Sequence, residues 1–298
     1  MYNTLIKGLP EDICNLSQLQ ILDLYNCRKL DSLPCNIGAL ENLKTLRLND
    51  CHSLTGIPLE ISQLTSLNSL LLCISEKSIM EVEEVKSSVC SLKDLTNCSN
   101  LMELEVHVKA GIEVKGIRSG IKVGVMGSWL EMRNLTLAFD VEDDDVVEDL
   151  PQDMQSMKKL QRFVLENYHG RCLPNCICEF LQLERLYLHY YFQLGDLPPL
   201  ERLPNLRSLL LKHCTNVKEL GIGAWGSVWG FPMLESLKLE DLPMLESLGS
   251  LSSDIVWNGQ TLPKLQVLTI KDCPSLKGLP LGIDKLPDLE TIKLQQNW

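Results

Sequence analysis

Six residues, GIGAWG at 221–226, match the Gly-x-Gly-x-x-Gly pattern whose glycines let a strand-to-helix turn approach a pyrophosphate. That chemistry needs a strand before the glycines, a helix after them and an acidic residue about twenty positions on. Here LRSLLLKHCTNVKEL precedes the hexapeptide and another strand-like segment follows it, so it reads as a connection, with Trp225 and Trp229 expected to cover it. No Gly-Lys dipeptide occurs anywhere, which excludes a Walker A loop. Cys172, Cys176 and Cys178 in RCLPNCICEF, with His169 close by, supply the ligand types of a tetrahedral zinc site at a poor spacing. FDVEDDDVVEDLP at 139–151 sets seven carboxylates in the ten residues from Asp140 to Asp149. It lacks the glycine and the final glutamate of a calcium-binding EF-hand loop, and reads as a solvated acidic loop or as a patch that latches onto a basic domain. The five histidines fall in separate segments with no nucleophile arranged beside them. Neither enzymatic activity nor a metal or cofactor is expected.

What positions these residues is a repeat. Leu19-Gln-Ile-Leu22-Asp-Leu24-Tyr-Asn-Cys27 recurs as Leu43-Lys-Thr-Leu46-Arg-Leu48-Asn-Asp-Cys51 and begins again at Leu67. Between these come second halves, LDSLPCNIGALENL at 30–43 and LTGIPLEISQLTSL at 54–67. The same core restarts at Leu101, Met132, Leu160, Leu183, Leu206, Leu234, Leu265 and Leu289, predicting eleven strands. Leucines at positions one, four and six cannot all be buried by an isolated strand, but parallel strands stacked side by side seal them into one core. The reading is an α/β leucine-rich repeat solenoid over 1–298, with a curved parallel sheet on the concave face and short or irregular helical segments on the convex side. Insertions are expected about 74–100, 107–131 and 139–151. Ile79, Val82, Val85, Val89, Leu92 and Leu95 predict an amphipathic helix on the convex side. Cys27, Cys51, Cys214 and Cys273, all at position nine, read as small buried residues at the exit from the strand. Cys178 fills the slot of Cys14, which gives the cysteine cluster a structural explanation.

Positions three, five and seven must form the concave face, which at a strand spacing of about 4.8 Å would draw an arc of roughly 50 Å. Its candidate partner-binding residues are Asp23, Tyr25, Arg47, Glu103, Glu105, His107, Arg162 and Glu166, a more acidic set, then Arg185, Tyr187, His189, Lys212, Lys238, Glu240, Lys271 and Lys293, with a basic column. A two-signed surface suits a protein ligand or another domain of the same polypeptide. Residues 1–150 carry 13 Lys/Arg against 23 Asp/Glu and residues 151–298 carry 15 against 16, for a net charge of −11. That balance argues against general nucleic-acid binding. No basic, apolar leader and no apolar run of membrane-spanning length is visible, and the twelve cysteines are scattered, so an intracellular protein, cytoplasmic or alternatively nuclear, without a disulfide framework is expected.

Three stretches carry a resemblance. LPEDICNLSQLQILDLYNCRKLDSLPCNIGALENLKTLRLNDCHSLTGIP at 9–58 is the first. LPPLERLPNLRSLLLKHCTNVKELG at 197–221, followed by FPMLESLKLEDLPMLESL at 231–248, is the second, and LPKLQVLTIKDCPSLKGLPLGIDKLPDLETIKL at 262–294 is the third. In their order they resemble the leucine-rich repeat region of plant intracellular nucleotide-binding immune receptors of the coiled-coil type. The resemblance implies recognition of pathogen effectors or guarded host proteins, and a resting-state contact with a nucleotide-binding domain that this chain lacks. Gly278-Leu-Pro-Leu-Gly282 is similar to a motif of that domain, but its register assigns it to the Leu-Pro slot of a repeat. LIKGLPEDICNL at 5–16 reads as a second half without its own strand, so a fragment, a truncated product or a short protein that uses its ends is expected. The rival readings are a ubiquitin-ligase substrate receptor, which calls for an adaptor-binding helical motif that is not visible, and a stand-alone scaffold, which calls for more uniform repeats.

Overall fold

The computed structural model describes residues 5–54, 56–74, 95, 97–108, 129–139, 152–168, 170, 173, 175–222, 230–249 and 256–296. The chain divides into two compact units, Met1–Asp144 and Asp145–Trp298. In the first, β1 (Ile21–Asp23), β2 (Thr45–Leu48), β3 (Ser69–Ile74), β4 (Glu103–Val108) and β5 (Asn134–Phe139) pair with their neighbours in chain order, parallel and in register. In the second, β6 (Arg162–Glu166), β7 (Arg185–His189), β8 (Ser208–Lys212), β9 (Ser236–Glu240), β10 (Val267–Lys271) and β11 (Thr291–Gln295) do the same. All eleven strands open two residues after the position-one residue read from the sequence. This is a leucine-rich repeat fold.

Burial follows the repeat. Positions four and six, such as Leu46 with Leu48, Leu186 with Leu188 and Leu237 with Leu239, are fully buried. Their counterparts in β11, Ile292 and Leu294, are 43% and 58% exposed, and among the described residues that strand pairs with β10 alone. The return crossings hold 3₁₀ turns of three to five residues, including Glu11–Asn15, Ile37–Ala39, Leu59–Gln63, Asn175–Glu179 and Leu200–Arg202. Pro10, Pro58 and Pro199 precede three of them, where a missing N–H costs nothing. Ile37 and Ile61 turn inward from these crossings and are fully buried. Neighbouring crossings are also tied by side chains. Asn42, Asn100 and Asn205, each just before a position-one leucine, donate to the backbone carbonyls of Ser17, Thr65 and Leu181 at 2.8, 2.9 and 2.7 Å.

Position eight ends the strand by a specific device. Asn26, Asp50, Asn167, Tyr190, His213, Asp241 and Asp272 all occupy it, and all have φ between 52° and 61°. The N–H of Asn26, Asn167, Tyr190, His213, Asp241 and Asp272 donates to the position-seven carbonyl of the following strand at 2.8–2.9 Å, extending the ladder by one rung as the chain turns away. Asn and Asp tolerate the left-handed region better than other non-glycine residues. In β3, β4 and β5 the same position holds Ile74, Val108 and Phe139, which disfavour it; there the strand runs on through position eight to a length of six residues. The expected insertions begin at those three places. Residues 75–94, including the expected amphipathic helix up to Leu92, and residues 109–128 and 140–151, including the acidic run, lie outside the described residues, as do 223–229 with Trp225 and Trp229. Leu95, the last residue of the helical pattern, is buried.

The left-handed turn gives a direct test. Asn167→Val should cost roughly 1–3 kcal/mol, because a β-branched residue is forced to positive φ, whereas Asn167→Gly should stay within about 0.5 kcal/mol of the parent. Urea unfolding followed by circular dichroism separates the two, and equal losses would mean that the side chain of Asn167, and not its backbone angle, is what matters.

Candidate recognition face

The sixteen residues expected on the strand face all lie at positions three, five or seven, and all are exposed or half-buried, alternating with the buried leucines. Three other residues of these columns, Cys73, Ala138 and Val164, are buried at 4%, 7% and 5% exposure, so the face is not polar throughout. No helix of the described residues is long and apolar enough to cross a membrane.

In the first unit the acidic set is held by its own neighbours. Arg47 lies 3.3 Å from Asp23. Ser69 Oγ donates to Glu103 at 2.6 Å across β3 and β4. The Oε1 of Glu105 accepts from Asn49 Nδ2 at 2.8 Å and meets His107 Nε2 at 2.9 Å. Asn49, just after the end of β2, reaches Glu105 over the intervening β3, a contact between residues 56 apart in sequence. These links fix rotamers in advance, which lowers the entropy a partner would have to remove on binding.

The second unit is arranged differently. In the position-seven column Lys212 pairs with Glu240 at 3.8 Å, and Lys271 approaches Asp272 at 4.0 Å. Burial, opposed by Glu166, holds His189 below its ordinary value, so this imidazole is neutral at physiological pH; its Nε2 has no hydrogen-bond partner among the described residues. Tyr187 stacks on His189 at 6.4 Å and 17°, and the Arg162 guanidinium lies 5.7 Å from the Tyr187 ring. At the exit from these strands Tyr190 and His213 stack at 4.5 Å and 15°, and His213 Nε2 lies 3.4 Å from Asp241. The sequence reading missed this pair. The signal was present in the column at position eight, where Asn or Asp occupies the other turns and two aromatic rings replace them here.

The cysteines take the structural role expected of position nine. Cys51 Sγ donates to the Leu24 carbonyl at 3.2 Å, Cys214 to Leu188 at 3.6 Å and Cys273 to Leu239 at 4.0 Å, in each case the position-six carbonyl of the repeat before. Cys178 Sγ donates to Pro199 at 3.5 Å, and burial pushes its thiol up to about 11. Nearby, Glu201 is buried and its carboxyl is raised by desolvation. Among the described residues no cluster suited to a metal occurs; Cys172 and His169 lie outside them.

Stacked repeats with inward leucines, a turn ladder at position eight and a polar strand face define a leucine-rich repeat protein. The chain belongs to that family: a family profile described as Leucine-rich repeat region matches residues 1–298. It is similar to the probable disease resistance protein At1g61300 of Arabidopsis thaliana, with 28% identity over 300 residues covering 99% of this chain and 37% of that protein. To the disease resistance protein UNI of the same plant it is 28% identical over 300 residues, covering 98% of this chain and 32% of that protein. The chain thus spans well under half the length of these curated relatives. Among solved structures, a leucine-rich repeat protein of Leptospira interrogans superposes with a TM-score of 0.51 at 23% identity, covering 97% of this chain and 75% of that one. An internalin of Listeria monocytogenes gives 0.50 at 15% identity, covering 80% and 70%. These two likenesses are of fold.

The thiol ladder predicts a pH dependence. Burial raises Cys51 from 9.0 to about 11 and Cys214 from 9.0 to about 12. Unfolding would let both ionise at their ordinary value, so the stability they contribute is intact below pH 9 and is lost as pH climbs through 11 and 12. Each thiol steepens the alkaline fall by up to about 1.4 kcal/mol per pH unit. Cys214→Ala should therefore flatten the fall in melting temperature above pH 9, while Cys35→Ala, at an exposed site, should leave its slope unchanged. Parallel curves for all three proteins would show that the position-nine thiols do not carry the effect.

Proposed function

We propose that this chain is a protein-recognition module of a plant immune receptor, using its strand faces to bind a pathogen effector or a guarded host protein. The observation that carries the reading is the separation of labour within each repeat. Positions four, six and nine are committed to the core, while positions three, five and seven carry a varied set of charged and aromatic side chains that the fold does not need. The similarity to disease resistance proteins along nearly the whole chain supports the same reading. Those relatives have length to spare for a nucleotide-binding domain, and the proposal includes a resting contact between such a domain and this module. A partner that competes for that contact would shift a two-state equilibrium by its differential affinity for the two states. The module itself works in the cytoplasm and holds no cofactor. It does not bind nucleic acid or membrane.

Capture from plant cells expressing the tagged protein, read by mass spectrometry, tests the reading. Glu105→Lys with Arg185→Glu should lower recovery of specific partners at least tenfold, in line with about 1.4 kcal/mol or more of lost binding free energy. Lys158→Glu, in a return crossing where Lys158 pairs with Glu179, should leave the captured set unchanged. Identical sets from all variants would overturn the proposal. Melting temperature should not move with added ADP or ATP, since a ligand stabilises only what it binds; a rise of several degrees would restore a nucleotide site.

A further inference from the structure

The register of the second unit places six position-five residues in one row across the strands: Val164, Tyr187, Leu210, Lys238, Thr269 and Lys293. The row changes character midway. Its β6–β8 end is apolar and aromatic, and Tyr187 and Leu210 are half-buried there. Its β9–β11 end is cationic, with Lys238 and Lys293 exposed in line on either side of Thr269. The position-seven lysines beside this row are compensated, Lys212 by Glu240 and Lys271 by Asp272. Lys238, Lys293 and the position-three Arg185 have no carboxylate partner among the described residues. Lys238 and Lys293 thus leave positive charge open along the position-five line, which continues into the apolar surface of Leu210 and Tyr187.

We infer that this row binds an extended acidic segment of a partner protein, with an aromatic or leucyl side chain on Tyr187 and Leu210 and two carboxylates on Lys238 and Lys293. The inference rests on the recognition reading above and names the chemistry of its ligand. Spacing makes it specific. With strands about 4.8 Å apart and an extended chain advancing about 3.3 Å per residue, the first carboxylate falls about two residues from the apolar anchor. The second falls about three residues beyond the first. An apolar residue against Tyr187 excludes water next to the lysines and strengthens their attraction for carboxylates. The aromatic end also separates this surface from a simple polyanion site, which would need cations along its whole length.

Fluorescence anisotropy with the intact protein tests this, using a labelled peptide of pattern Phe-x-Glu-x-x-Glu padded with Gly and Ser. Binding should exceed that of a scrambled peptide of the same composition at least tenfold and weaken as salt rises. Lys238→Glu with Lys293→Glu should abolish it and should create binding to the matching Phe-x-Lys-x-x-Lys peptide, a swap that a merely structural role would not produce. Tyr187→Ser should weaken it without changing the salt slope, whereas Lys264→Glu, at a residue paired with Asp288 outside the row, should change nothing. Three results would overturn the inference: no binding, equal binding of the scrambled peptide, or equal binding of a single-stranded oligouridylate, which would make this a polyanion surface. If the peptide fails while captured partners still depend on Glu105 and Arg185, the recognition reading stands and only the acidic ligand is lost.

Discussion

One backbone hydrogen bond, made from a residue at positive φ, organises six of the seven described turns at position eight. At position eight the strand has ended, yet its N–H still reaches the carbonyl of the following strand, as from Tyr190 to Lys212 and from Asp241 to Lys271. That bond satisfies a donor that the turn would otherwise strand, and it directs the next residue inward. Position nine then carries a side chain small enough for the space and able to donate weakly, which is why Cys51 and Cys214 meet the carbonyls of Leu24 and Leu188. The left-handed turn therefore couples two neighbours at once, through the main chain ahead and the thiol behind. Where Ile74, Val108 or Phe139 stands in its place, the backbone stays extended through position eight.

The strands were legible because their determinant is local. Leucines at positions one, four and six lie within six residues, and the alternation of positions four and six with three, five and seven leaves one pairing register that buries them. The columns of the face follow from the same count. What could not be read was how the face is wired. Glu105 was assigned to an acidic surface from its type and position, but its Oε1 is shared by Asn49 and His107, and Asn49 comes from two strands away. Asp23 is likewise met by Arg47, 24 residues on. Partnerships of this sort depend on rotamers in neighbouring repeats, which residue types and spacing do not specify. The burial of Cys73, Ala138 and Val164 within polar columns was foreshadowed only by their apolar side chains.

Position eight was also legible, and it was overlooked for a physical reason. Its residues are neither core nor face, so neither hydrophobic periodicity nor charge marks them. Asn26, Asp50, Asn167, Asp241 and Asp272 form a column whose common property is a backbone preference. Against that column Tyr190 stands out as a residue that disfavours the angle it adopts, at a cost of about 1–3 kcal/mol, whereas His213 is of a type that tolerates it. Their mutual stacking returns about 0.5–1.5 kcal/mol, and the contact of His213 with Asp241 adds to it. The offset is partial, so the surrounding ladder has to impose the conformation.

That the ladder can impose it follows from how stability is distributed in stacked repeats. Each unit is held mainly by its contacts with the units on either side, so a local penalty at β7 and β8 is shared with the buried leucines of β6 and β9. Tyr190 directly follows His189, which itself stacks on Tyr187, and the Arg162 guanidinium lies over the Tyr187 ring. Planar rings with few rotatable bonds, fixed by neighbours before any partner arrives, lose little entropy on contact. Strain at position eight and order at positions five and seven thus belong to one arrangement: the core carries the energetic cost, and the face is left rigid where its aromatic side chains meet solvent.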